Sequence, residues 1–254
     1  MGFVSANSPE YMVVETGLGG LLDTTNTIDR KDKICVITPI GFDHMHILGN
    51  TLEEIAGQKA GIIQENQVVI TCNQDPKVMR VIQERVRQKK AKLLVVDSLD
   101  LDIPNTQLVG EYNKVNLSLA LAVCIVLSKR DGWDLDIYKA LEAINSMVIP
   151  GRREVIKKSK TWIFDGAHNP QKMKALASTV DNVGVILAVK EGYKELIKIL
   201  KPHAKEIILT KHLSPESDQP IKDISPSSEY RFFADQEELI RYVKSSKIQT
   251  WLVT

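Results

Sequence analysis

Glu15-Thr16-Gly17-Leu18-Gly19-Gly20-Leu21-Leu22-Asp23-Thr24-Thr25-Asn26 follows the apolar run Tyr11 to Val14, and Phe164-Asp165-Gly166-Ala167-His168-Asn169-Pro170 ends the run that begins at Thr161. Each segment leaves a strand-like run through an acidic residue, then small residues, then an amide or hydroxyl side chain. An open α/β sheet presents its ligand-binding groups in this way, at the carboxyl ends of its strands. Gly17, Gly19 and Gly20 permit positive φ and close backbone approach, which suits a loop wrapped around a phosphate or a metal. A plain tight turn accounts for the same glycines. Glu15, at the expected strand end, would offer a hard oxygen to Mg²⁺.

Working outward, strand-length apolar runs alternate with helical periodicity over most of the chain. Strands are expected at 11–15, 34–40, 67–72, 92–97, 161–165, 183–189, 206–210, 230–233 and 250–254. Amphipathic helices are expected at 51–63, 75–91, 113–130, 136–146, 170–180, 193–203 and 235–246. This alternation implies βαβ units and parallel sheets. Val68 to Ile70 and Leu93 to Val96 are continuously apolar, as strands covered on both faces should be. Thr51 and Glu54 compose a capping box, and Asp75-Pro76 and Asn169-Pro170 each set a capping side chain before a proline at the first helical position. The rhythm breaks between about Asp97 and Thr161, and Ile149-Pro150-Gly151 reads as a hinge. The expected organisation is an incomplete parallel-sheet domain over 1–149 and a smaller Rossmann-like α/β domain over 150–254. Residues 212–229, rich in Ser, Pro and charge, read as a surface loop.

The bulk properties narrow the function classes. The chain has 254 residues, 43% hydrophobic and 26% charged, with net charge +1. That is a globular composition with no electrostatic signal for nucleic acid or a membrane surface. It holds no apolar run of membrane-spanning length and its first residues lack a signal-peptide pattern. Cys35, Cys72 and Cys124 are scattered through apolar segments, which argues against a disulfide framework or a zinc site and for thiols in a reducing cytoplasm.

Four further constellations could carry chemistry. Asp43 and His44 come just after an apolar run, where a strand end would meet a ligand; His46 reads as a structural histidine. Lys59, between small residues in Ala56-Gly57-Gln58-Lys59-Ala60-Gly61-Ile62, could approach a neighbouring strand end or simply snorkel. Gly110-Glu111-Tyr112-Asn113-Lys114-Val115-Asn116 opens a long helix; Asn113 would serve as its cap, leaving Asn116 one turn in. Arg152, in Pro150-Gly151-Arg152-Arg153-Glu154, stands at the hinge with a planar fork suited to phosphate. Asp165 can accept from ribose hydroxyls, and His168 lies beside a helix N-terminus that favours anions.

Taken together these motifs resemble the folylpolyglutamate synthase and dihydrofolate synthase branch of the Mur ligase superfamily. Residues 15–26 match E-x-G-L-G-G-R-L-D-A-T-N except at Leu21 and Thr24. The D-H-x-x-x-L-G-x-T, G-x-[HY]-[NQ]-x-x-N, P-G-R-x-E and D-G-A-H-N-P patterns are present, while Gln58 replaces the Glu of I-A-x-E-K-A-G-I and Lys190-Glu191 alters a D-K-D-like landmark. The resemblance implies ATP and Mg²⁺ as cofactors. It implies metal roles for Glu15, His44 and a carbamylated Lys59, nucleotide contacts from Asn116, Arg152 and Asp165, and an acceptor-side role for His168. Lys59 and His168 would be the catalytic pair.

The implied reaction joins L-glutamate to a folate or pteroate through an acyl phosphate. Nothing in the sequence reads G-x-x-x-x-G-K-[ST], the phosphate-cradling loop that such a ligase needs. The expectation is therefore a fragment that is inactive alone, its first sheet open beside strand 11–15, with the loop carried on further chain or on a separate polypeptide. A cell-wall Mur ligase and a non-catalytic remnant that binds nucleotide or a partner protein are the alternatives.

Overall fold

The computed structural model describes residues 9–28, 30–98, 110–189, 192–211, 224 and 227–254. Most of the surface loop expected at 212–229, and the Lys190-Glu191 pair, lie outside them. The chain divides into two compact units, residues 1–98 with 118–130 and residues 99–117 with 131–254. Residue 149, where the sequence sets the hinge, falls within the second grouping.

In the first unit, β1 (Ile34–Ile37), β2 (Val68–Cys72) and β3 (Lys92–Val96) form a parallel sheet in the order β1-β2-β3. The crossovers carry α1 (Met45–Leu48), α2 (Leu52–Ala60) and α3 (Pro76–Gln88). The caps are those expected. Thr51 accepts from the Glu54 amide while the Glu54 carboxylate reaches back to Thr51, and Asp75 accepts from Lys77 with Pro76 at the first position. Cys35, Ile37 and Val69 on one sheet face meet Ile55, Ala56 and Ala60 of α2 and Val78 and Ile82 of α3. Each fully buried aliphatic side chain there contributes roughly 1.5–3 kcal/mol. Leu94 and Val95 point to opposite faces of β3 and both are exposed, so β3 is an edge strand and not the doubly covered strand its apolar run suggested.

Residues 11–15 form no strand; Val13 is 99% exposed. A strand exists only with a hydrogen-bonding partner, and among the described residues β1 pairs only with β2. Gln67, expected in β2, instead stands just before it with its side chain buried, accepting from the Gln64 amide and donating to the Arg30 carbonyl.

The helix α4 (Glu111–Asp131) is divided between the two units at residue 118. In the second unit α5 (Ile137–Ser146), capped by Asp136, precedes a six-stranded sheet. Its strands are β4 (Glu154–Lys157), β5 (Thr161–Phe164), β6 (Val183–Val189), β7 (Ala204–Lys211), β8 (Arg231–Phe233) and β9 (Thr250–Val253), in the order β4-β5-β9-β6-β7-β8. Only β4 runs antiparallel, in a hairpin with β5 that the sequence reading missed. Two helices, α6 (Pro170–Ala177) and α7 (Tyr193–Leu200), cover one face with Val185, Leu187, Ile207, Leu209 and Leu252; α8 (Gln236–Ser245) covers the other with Ile186, Ile208 and Trp251. Odd and even positions of β6 and β7 thus go to opposite faces, which explains why the runs are apolar without alternation. Gly184 lies against the Trp251 ring, where a Cβ would come within 2.5 Å of a ring carbon.

Candidate functional site

The glycine-rich loop in the first unit is a folded object seated on the C-terminal turn of α2. Asp23 organises its interior: its carboxylate accepts from the Leu18 amide at 2.9 Å and from the amide and hydroxyl of Thr25 at 2.9 and 2.6 Å. Those bonds, the Thr25 hydroxyl foremost, lower its pKa from 3.8 to about 2. Thr24–Thr27 make a short 3₁₀ turn capped by the same carboxylate. The Leu21 amide then donates to the Gln58 carbonyl at 2.8 Å, and the Asn26 amide group donates to the carbonyls of Leu21 and Gly61. Gly20, at φ 148°, passes so close to α2 that a Cβ would stand 2.8 Å from the Gln58 carbonyl oxygen and 3.1 Å from that of Lys59. A Cβ on Gly19 would stand 2.9 Å from Leu48 of α1.

Loop, α1 and α2 therefore converge, and with them the segments bearing Glu15, His44 and Lys59. Glu15 is exposed, and His44 is exposed with a left-handed backbone at φ 49°. The His44 imidazole Nε2 lies 3.8 Å from Asp43 Oδ1, and Lys59 is half-buried. Among the described residues no group of three or more His, Cys, Asp or Glu is placed to hold a metal ion. Mg²⁺ prefers oxygen donors, which Glu15 offers directly and Lys59 would offer only in the carbamylated form that the family resemblance implies. Leu21 packs on Gly61 and borders a groove of about 500 Å³ between α2 and α3, which none of the candidate residues lines.

The second cluster gathers at the carboxyl ends of β5 and β9. Gly151 (φ 66°) and Arg153 (φ 51°) fold residues 149–154 into a turn, closed by the Arg152 amide on the Ile149 carbonyl and the Gly151 amide on Glu154. This turn docks on the D-G-A-H-N-P loop. The Gly166 amide donates to Gly151, and the Arg152 Nη1 lies 3.4 Å from where a Gly166 Cβ would stand. Asp165 accepts from two backbone amides at 2.8 Å, Arg153 on Oδ2 and Ala167 on Oδ1. Each oxygen keeps a lone pair for a further donor.

The sequence reading passed over Arg153. Its left-handed backbone costs a non-glycine residue roughly 1–2 kcal/mol, yet it is held: Nε donates to the Thr179 hydroxyl and Nη2 to the Thr179 carbonyl, both at 3.2 Å. Burial weakens the charged form of Arg153, whereas the neighbouring Tyr112 and Asp165 favour it. Tyr112 is pushed up by burial first and by the negative Asp165 second. Gly110 (φ 99°) lets the first turn of α4 approach Thr179 within 3.0 Å of a Cβ position. Asn113 is not the cap: α4 starts at Glu111, and the Asn113 amide donates to Gly110. Asn116 lies one turn in, on the same helix.

His168 is exposed, and its Nδ1 meets the Gly166 carbonyl at 2.9 Å. A carbonyl can only accept, so Nδ1 carries the hydrogen and Nε2 of the neutral ring is a free lone pair. Asn169 caps α6 by accepting from Lys172, and Thr254 ties β9 to the loop through the Ala167 carbonyl. Cys35, Cys72 and Cys124 are free, and burial raises the pKa of Cys35 and Cys72. No helix among the described residues is long and apolar enough to cross a membrane.

Comparison with known proteins fits this layout. Residues 151–254 match the family described as Mur ligase, glutamate ligase domain. A dihydrofolate synthase/folylpolyglutamate synthase of Bacillus subtilis is 28% identical over 96% of this chain and 64% of its own length. A probable folylpolyglutamate synthase of Schizosaccharomyces pombe is 33% identical over 76% of the chain and 38% of its own. Folylpolyglutamate synthase of Mycobacterium tuberculosis, solved with ADP and AMPPCP, superposes with TM-score 0.80 at 26% identity, covering 99% of this chain and 66% of that one. The chain thus spans less than two thirds of the length of these relatives. Mixed α/β architecture, parallel sheets and the ligase-domain match agree in making this chain similar to the folylpolyglutamate synthases and dihydrofolate synthases of the Mur ligase superfamily.

Proposed function

We propose that the chain supplies the nucleotide and acceptor side of an ATP-dependent carbon–nitrogen ligase that joins L-glutamate to a folate or pteroate. The observation that carries the reading is the junction of the Pro150–Glu154 turn with the Asp165–Pro170 loop. It sets a permanently charged guanidinium, a carboxylate with spare lone pairs and an imidazole with a free Nε2 at one sheet edge. In this reading Asp165 accepts from the ribose hydroxyls, Asn116 contacts the nucleotide, and the Arg152 fork meets phosphoryl oxygens. The terminal carboxylate of the folate attacks the γ-phosphorus of ATP, releasing ADP and forming the acyl phosphate. The glutamate amine then attacks the acyl carbon, phosphate leaves, and the amide forms. His168 Nε2 can take the proton that the attacking amine gives up.

Glu15, His44 and Lys59 are assigned to the metal side by family resemblance alone. Mg²⁺, bound chiefly through the nucleotide phosphates, would neutralise their charge. The two ligase domains would meet near residue 149, a placement supported by the family match beginning at residue 151. Unpaired buried thiols support a reducing, cytoplasmic setting. No stretch of residues 1–254 reads as the phosphate-cradling loop, so the reading assigns these residues no part in gripping the β- and γ-phosphates through such a loop.

The test is an amide NMR titration of the chain with AMPPCP and Mg²⁺ at millimolar concentration. Shifts at Gly166, His168 and Asn116, abolished by Asp165→Asn, are expected. A spectrum unmoved at these residues refutes the assignment. Incubated alone with ATP, folate and glutamate, the chain should release no ADP.

A further inference from the structure

Arg153 occupies a position that no motif assigns, yet both its backbone and its side chain are held. Three things coincide on it. Its backbone is left-handed at φ 51°. Its amide donates to Asp165 Oδ2 at 2.8 Å. Its guanidinium forks onto the hydroxyl and carbonyl of Thr179, just past the end of α6. The first dihedral dictates the second contact: in the ordinary right-handed or extended region the Arg153 amide would point elsewhere and Oδ2 would lose its donor. An arginine does not adopt the left-handed region unaided. The Thr179 clamp is what holds it there, since a planar fork that makes two bonds at once fixes both position and orientation.

We infer that Arg153 is a positioning residue for the nucleotide carboxylate: its clamped guanidinium locks its own backbone so that its amide orients Asp165 toward ribose. This rests on the reading of Asp165 given above and extends it by naming what aims the carboxylate. The Arg153 side chain points away from the ligand in this account and acts only through the main chain. That makes its substitution pattern unusual. Glycine loses the clamp but adopts positive φ freely, so the amide stays on Oδ2. Methionine fills the half-buried space but has no fork, so the backbone relaxes and the amide leaves. A residue needed only for packing gives the reverse order, methionine mild and glycine severe.

The experiment compares the affinities of the chain for ATP and 2′,3′-dideoxy-ATP by NMR titration, following Gly166. Circular dichroism checks that Arg153→Gly and Arg153→Met fold. A hydrogen bond to a charged carboxylate gives the wild type a preference for ATP of about tenfold. Arg153→Gly should keep most of that preference, and Arg153→Met should bring the ratio to within about twofold of unity, as expected once that bond is lost. If Arg153→Met retains the full preference, or the two variants fall in the packing order, the positioning role is overturned while Asp165 keeps its own. If the wild type shows no preference, the Asp165 assignment fails, and the role of Arg153 falls with it.

Discussion

Replacing Gly61 with alanine should unseat the glycine-rich loop, whereas the same change at Gly57, one turn earlier, should do the opposite. At Gly61 a Cβ would stand 2.5 Å from the Leu21 Cβ and 2.6 Å from its Cα. The second of these is backbone, so no rotamer change relieves it. Overpacking of this kind costs about 1–3 kcal/mol. Lifting the loop also breaks the Leu21 amide bond to Gln58 and the Asn26 bond to Gly61, at 2.8 and 3.2 Å. Two neutral hydrogen bonds add about 2 kcal/mol. Gly61→Ala should therefore destabilise by about 3–5 kcal/mol. At Gly57 nothing lies within 4 Å of the added methyl, and alanine within a helix is favoured over glycine by about 1 kcal/mol. Both residues belong to the same compact unit, so thermal melts followed by circular dichroism give a like-for-like comparison. The midpoints should differ by more than about 10 °C, and hydrogen exchange of the Leu21 amide should accelerate only in Gly61→Ala. Equal stability of the two variants, or an unchanged Leu21 amide, would refute the seating of this loop on α2.

Other outcomes follow from the same geometry. Gly184→Ala drives a methyl to 2.5 Å from the fully buried Trp251 ring and should cost about 1–3 kcal/mol; urea unfolding followed by tryptophan emission reads this, since all three tryptophans lie in the second unit. Asp23 has a folded pKa lowered from 3.8 to about 2, so its contribution is fully present above pH 4 and is lost as pH falls through about 2. Exchange of the Leu18 and Thr25 amides should accelerate across that window, and Asp23→Asn should flatten the dependence. Nitrogen-15 NMR of the neutral His168 ring should show the Nδ1–H tautomer; the Nε2–H form would contradict its bond to Gly166.

The sequence made much of this fold legible because caps and helix faces are local. Thr51-Glu54, Asp75-Pro76 and Asn169-Pro170 each declare a helix start within four residues, and each does so in the structure. What failed depended on partners. Tyr11 to Val14 has strand composition, but composition does not encode whether an edge is available to receive it. The β4 strand was missed for the converse reason: four residues flanked by charge become a strand only through the hairpin with β5. In the site, Asp165 and His168 were legible because their loop is contiguous. Arg153 was not, because its meaning lies in a dihedral angle and in Thr179, 26 residues away.

The loop on α2 also explains which letters of its motif are free to change. Leu21 and Thr24 in the loop, and Gln58 of α2 beneath it, depart from the family wording, and all three bond here through main-chain atoms: the Leu21 amide and carbonyl, the Thr24 carbonyl that accepts from the Thr27 hydroxyl, and the Gln58 carbonyl. Asp23, Thr25 and Asn26 keep the wording and bond through their side chains. The surface of contact is thus written in two scripts, one spelled by side chains and one by peptide groups that every residue type carries. Substitution passes unnoticed through the second, so such a loop can drift in spelling while its shape stays put.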